Sequence, residues 1–161
     1  MAVHTAERKP SVFNTFHHAL KMRRDIRDLC LRDFGYKFKP RIGETESQSI
    51  RRREFERREL DKEIDCIIDI LRSISTHIRL ANSIHPTIWA EYSERRLHQT
   101  LAIAECGKLS AEIQFAVEDF SVSVNQFIPI DELIQTQIKL LRSWRQSDNR
   151  MIEKLKDKDK I

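Results

Sequence analysis

Glycine and proline are scarce in this sequence, with 3 and 4 among 161 residues. Short-stranded sandwiches and barrels need a turn every few residues, so the scarcity excludes them and favours a few long helices. The 3 cysteines, Cys30, Cys66 and Cys106, are odd in number and far apart. No CxxC pair occurs among them, which excludes a disulfide framework and a cysteine metal site, and buried free thiols are expected. No apolar run reaches membrane-spanning length, and the start, MAVHTAERKP, lacks the apolar centre of a signal peptide. A cytoplasmic protein with no membrane partner is expected.

Several chemistries are missing as well. None of the 6 histidines has a glutamate three residues before it, so a carboxylate-bridged metal centre in a helical bundle has no ligand pair. The sequence has no GxxxxGK[ST], GxGxxG, GxSxG or HExxH, and the phosphate-loop, dinucleotide, hydrolase-elbow and zincin classes lose their anchors. No cofactor, no metal and no catalytic residue is expected.

What is present is charge and helical periodicity. Charged residues make up 34% and hydrophobics 40%, enough apolar surface for a core beneath charged outer faces. One domain is expected at this length. The formal net charge is +4. From Glu105 to Glu132 the acids Glu105, Glu112, Glu118, Asp119, Asp131 and Glu132 are opposed only by Lys108, so the rest of the chain is much more basic than the total. That asymmetry suits a polyanion, or an acidic protein surface, as partner.

The periodicity predicts a polar, flexible arm over residues 1–11, a bundle over 12–156 and a fraying charged tail over 157–161. Helices are expected at about 12–34, 47–82, 86–120 and 131–156, forming an all-α, antiparallel up-down-up-down four-helix bundle. The first carries Phe13, Phe16, Leu20, Ile26, Leu29, Cys30 and Phe34, with Gly35 as its stop. The loop from Tyr36 to Ser49 offers Thr45 or Ser47 as a cap for the second, whose stripe runs through Leu60, Ile64, Ile67, Ile68, Leu71, Ile74, Ile78 and Ala81. Pro86 suits the first position of the third helix. Trp89, Tyr92, Leu97, Leu101, Ala104, Leu109, Ile113, Ala116, Val117 and Phe120 give its stripe, with a stutter or bend near Gly107. Asp131 is the expected cap of the fourth, which Leu133, Ile134, Ile138, Leu141, Trp144, Ile152 and Leu155 line.

Two patterns bear on function. Arg72 with His77, and more loosely Arg79 with His85, have the Arg-x4-6-His spacing that resembles HEPN ribonucleases, in which arginine would steady a phosphate and histidine move a proton. The same spacing arises by chance in so arginine-rich a chain, and His77 adjoins the buried stripe. The second pattern is arginine itself. Arg51, Arg52, Arg53, Arg57 and Arg58 form the densest group, and Arg23, Arg24, Arg27, Arg95, Arg96, Lys139, Arg142 and Arg145 fall on the expected outer faces. The arginine fork suits bidentate phosphate binding, so these positions are the candidate RNA- or partner-binding residues; a solvated face balanced by Glu54, Glu56 and Glu59 is the plainer reading.

In the last helix Leu133-Ile134 precedes Lys139-Leu140-Leu141-Arg142-Ser143-Trp144 and then Asn149-Arg150. This run resembles the last helix of the accessory variability determinant (Avd) proteins of diversity-generating retroelements, four-helix bundles related to the intervening-sequence ribosomal-type bundles. The chain departs from the family pattern at Ile138 and Arg142, where members often have glycine, and at Asp33-Phe34-Gly35, where a proline turn is common. The resemblance implies a non-catalytic accessory protein that assembles as a homo-oligomer, commonly a pentameric ring. Such a ring binds a reverse transcriptase and its template RNA in support of mutagenic cDNA synthesis. The arginines above would then contact RNA while Trp144 packs the core. A HEPN-like ribonuclease and a protein-only helical scaffold are the alternatives.

Overall fold

The computed structural model describes residues 10–158, with side chains described for 14–157. The expected arm and tail therefore lie mostly outside the described residues. The described residues form helices and turns with no strand. The helices are α1 (Pro10–Leu31), α2 (Glu46–Ser83), α3 (Trp89–Phe120), α4 (Ile128–Ser147) and the short α5 (Asn149–Lys158). Each of the four long helices packs on two others: α1 on α2 and α4, and α3 on α2 and α4. Along the α1/α2 seam Phe16 meets Arg79 and Asp33 meets Arg57. Along α2/α3 His77 meets His98, and Tyr36, just after α1, meets Phe120 at the end of α3. Along α3/α4 Thr100 meets Arg145, and along α1/α4 Thr15 meets Gln137 while Phe34 meets Phe127.

The core follows from residue spacing. On α2, Leu60, Ile64, Ile67, Leu71, Ile74, Ile78 and Ala81 recur at alternating steps of four and three, and all but the half-buried Ile64 are fully buried. The buried face of α3 reads Tyr92, Arg95, Gln99, Ala102, Cys106, Leu109, Ile113 and Ala116, again in strict threes and fours. Two helices that share this repeat interlock wherever both carry it, from Leu60 to Ala81 on α2, which makes α2/α3 the longest seam of the fold. This corrects the expected α3 stripe. Leu97 is 55% exposed and Trp89 46%, and Ala104 is exposed too. The apolar reading drifted onto them because the true seam holds two polar residues, Arg95 and Gln99. With those included, the repeat passes Gly107 without a stutter.

The helix ends also have local causes. Thr45 caps α2 in a reciprocal box: its hydroxyl accepts from the Gln48 N–H at 3.3 Å, and the Gln48 side-chain oxygen Oε1 accepts from the Thr45 N–H at 3.0 Å. Beyond α1, Asp33, Phe34 and Gly35 have φ of 52°, 54° and 74°. Two of these are non-glycine residues in the left-handed region, held by burial of Phe34 and by Gln126, whose side-chain amide donates to the Phe34 carbonyl. The third helix begins at Trp89 and not at Pro86, because the Glu91 carboxylate accepts from the Thr87 N–H at 2.7 Å and hydroxyl at 2.9 Å and keeps that residue outside the helix. Pro129 lies at the start of α4, with Asp131 in its first turn and not at its cap. The single helix expected over 131–156 is interrupted at Asp148, whose side chain turns into the core.

At 38 residues α2 is about 57 Å long, against about 33 Å for the 22 residues of α1. Its buried residues begin only at Leu60, so residues 46–59 project past the core. The loop after Gly35 folds back on them through Arg52. That guanidinium donates to Glu44 at 2.8 Å, to Glu56 at 2.8 Å and to the Lys39 carbonyl at 2.9 Å, and lies 4.3 Å over the Phe38 ring.

Candidate nucleic-acid interface

The candidate arginines separate by what neutralises them. Arg95 was expected on an outer face; it is 5% exposed and forms a two-pronged ion pair with the equally buried Asp148, Nε to Oδ2 at 2.7 Å and Nη2 to Oδ1 at 3.2 Å. Its other amine donates to the Ala81 and Ile84 carbonyls at 3.2 and 2.9 Å, and the guanidinium lies 5.1 Å from the Trp144 ring centre. A cation enclosed in this way cannot reach RNA, and Arg95 is withdrawn from the interface. Arg52 is consumed by Glu44 and Glu56, and Arg57 by Asp33 and Asp61, each pair closing at 2.7 or 2.8 Å. The hydrogen-bonded arginine holds the Glu44 carboxyl down to about 2.

The others retain their charge. Among the described residues Arg23, Arg24, Arg27, Arg51, Arg53, Arg58, Arg96, Lys139, Arg142 and Arg145 form no ion pair with a carboxylate. Arg23, Arg24 and Arg27 line a shallow hollow of about 420 Å³ on α1, with Leu20, Leu31 and a single acid, Asp28. Arg51, Arg53 and Arg58 project from the start of α2, Arg53 lying 4.7 Å from the Phe38 ring centre. Lys139 and Arg142 are exposed on α4. Arg96 and Arg145 come together across α3 and α4, where Arg96 donates to the Arg145 carbonyl at 3.5 Å. The structure thus distributes the surviving cations in separate groups over four helices.

Sequence reasoning missed one residue beside the last group. Trp89 was assigned to the core, yet it is half exposed, stacked on Tyr92 with ring centres 5.5 Å apart. The expectation for Trp144 holds: it is fully buried.

The Arg-x4-His pattern does not assemble within the chain. Arg72 donates to Asp69 at 3.3 Å, while the His77 Nδ1 lies 3.1 Å from the Nδ1 of His98. Burial, then the neighbouring His98, lowers the His77 pKa, against the charge of Glu105. Arg79 lies over Phe16 and His85 is exposed.

A larger hollow, about 740 Å³, opens between the loop after α1, the projecting part of α2 and the end of α3. Lys37, Lys39 and Arg41 line one side and Glu59, Glu63 and Asp119 another. Burial, reinforced by Glu112 and then Asp119, pushes the Glu63 carboxyl up to about 7. Among the described residues no three His, Cys, Asp or Glu side chains converge as metal ligands. No described helix is long and apolar enough to cross a membrane. No protein-family model, curated protein or solved structure matches the chain.

Proposed function

We propose that this protein is a non-catalytic, RNA-binding accessory protein that contacts phosphates through arginines left unpaired on its helices. In the form the Avd resemblance implies, it acts in the cytoplasm as a homo-oligomer, a pentamer by that resemblance, and brings a template RNA to a reverse transcriptase. The observation that carries the reading is the hollow on α1, where Arg23, Arg24 and Arg27 stand together with no ion-pair partner among the described residues. Arg52 and Arg57, by contrast, are each paired with two carboxylates. The antiparallel up-down-up-down order belongs to the same proposal; the seam pairings support it, since residue numbers rise on one helix as they fall on its neighbour.

The test is the salt dependence of binding to a structured RNA. Each lost phosphate contact flattens the slope of log K against log salt by about 0.7 to 0.9, so the triple variant R23Q/R24Q/R27Q should flatten it by about 2 to 3. R57Q, whose charge is already taken by Asp33 and Asp61, should leave the slope unchanged. A triple variant with wild-type affinity and slope would overturn the assignment of this hollow. A wild-type protein that ignores RNA while holding a protein partner would establish the scaffold, and RNA cleavage lost in His77→Ala would establish the ribonuclease.

A further inference from the structure

The start of α3 carries an arrangement that the phosphate reading does not use. Trp89 is its first residue, 46% exposed, with one ring face against Tyr92 at an interplanar angle of 29°. Tyr92 is buried and its hydroxyl accepts from Arg96 at 2.9 Å, so the ring beneath the indole is fixed from below. Arg96 also donates to the Asn149 side-chain oxygen at 3.0 Å, and Arg145 donates to the Thr100 hydroxyl at 3.3 Å. Every acceptor in this network is neutral, and both guanidinium charges survive. Of the nearest acids in sequence, Asp148 is paired with Arg95 and bonded to Gln99, while Glu91 is held by the neutral Thr87, keeps its charge and lies about 200° around the helix from Trp89. Glu94 lies about 200° around the helix from Tyr92.

We propose that Trp89 is a stacking seat for an unpaired base of single-stranded RNA, with Arg96 taking the adjoining phosphate and Arg145 one further along the strand. The proposal rests on the RNA-binding reading and names the form of RNA this end of the bundle takes. An exposed indole on a rigid support offers a flat apolar face, which any base can cover only when its own faces are free; in a duplex they are stacked on neighbouring bases. Arg96, bonded to the tyrosine beneath the indole, supplies a charge for the adjoining phosphate, and Arg145, anchored at Thr100 about 16 Å further along α3, supplies one for a phosphate further down the strand.

Tryptophan emission reads this directly, because the other tryptophan, Trp144, is fully buried. The full-length protein is titrated with a short oligouridylate and with an RNA duplex carrying the same number of phosphates. The single strand should quench Trp89 and the duplex should not. Trp89→Ala should weaken single-strand binding by roughly 5- to 150-fold, the range for loss of one stacked base, and leave duplex binding in place. Trp89→Phe, which keeps a ring, should restore most of the loss. Unchanged single-strand affinity in Trp89→Ala, or equal quenching by inorganic polyphosphate, would overturn the seat while leaving the α1 hollow standing. Failure of the wild type to bind either RNA would instead remove the RNA reading itself.

Discussion

Asp148 is the residue whose loss should harm the fold most for its size. Its carboxylate accepts from Arg95 Nε at 2.7 Å, from Arg95 Nη2 at 3.2 Å and from the Gln99 amide at 2.7 Å, in a place where both ionic side chains are about 5% exposed or less. Removing it in Asp148→Ala leaves a guanidinium enclosed with two carbonyls and a tryptophan face as its only partners, and strips the Gln99 amide of its acceptor. Breaking a buried pair from one side costs about 3 to 5 kcal/mol. For a chain of this length that corresponds to a fall in Tm of roughly 6 to 20 °C. The paired replacement Arg95→Met with Asp148→Leu removes both charges and should return stability to within about 1 kcal/mol of wild type or above it. Urea unfolding followed by circular dichroism on the wild type, Arg95→Met, Asp148→Leu and the double variant gives the coupling directly. An Asp148→Ala loss below about 1 kcal/mol, the range of an exposed pair such as Arg72 with Asp69, would refute the claim that this cluster is sealed from water.

Further expectations follow from the other sites. Glu63 titrates at about 7 in the fold against an ordinary 4.5, so the stability it contributes is complete below about 4.5 and is lost as pH rises through 7. Glu63→Gln should therefore gain on wild type in urea midpoint across that interval and keep the gain above it; a difference that does not vary with pH would refute this. Burial pushes the Cys30 thiol up to about 11 and Cys106 to about 12, while Cys66 is raised but only half-buried. At pH 8 a maleimide should modify Cys66 alone and slowly, with Cys30 and Cys106 reacting only in denaturant, as mass mapping would show. Thr45→Ala opens the reciprocal cap of α2 and should cost about 1 kcal/mol, seen first as faster amide exchange in the projecting turns.

Much of the fold was legible because α2 writes it plainly. Most of its expected apolar stripe is its buried face, so periodicity and packing agree, and the predicted 47–82 differs from the observed Glu46–Ser83 by one residue at each end. In α3 they part company. Arg95 and Gln99 occupy core positions, and their burial is tolerated only because Asp148, more than forty residues away in sequence, turns in to meet them. A local pattern contains no trace of that partner, and hence Leu97 was placed inside and Arg95 outside. The same long-range pairing ends α4 at a position where the sequence shows an unbroken amphipathic run. One signal was available: buried positions repeating in threes and fours on α2 imply the same repeat on the helix it packs against, and Arg95 and Gln99 fall on that repeat.

Arg95 and Arg96 show how one turn of helix serves two ends. Adjacent residues point about 100° apart, so the first enters the core and the second reaches the surface. Arg95 joins three segments: the start of α3, the break between α4 and α5 through Asp148, and the last turn of α2, where it donates to the Ala81 carbonyl and the following Ile84 carbonyl at a helix end that favours positive charge. Trp89, Tyr92 and Arg96 stand on the same turns that this junction fixes. The opposite end is built differently, with α2 projecting beyond the core, a left-handed turn at Asp33 to Gly35 and a large hollow walled by charges of both signs. Stacking requires a support that is held in place, and the Arg95 junction ties together the turns on which Trp89 and Tyr92 stand.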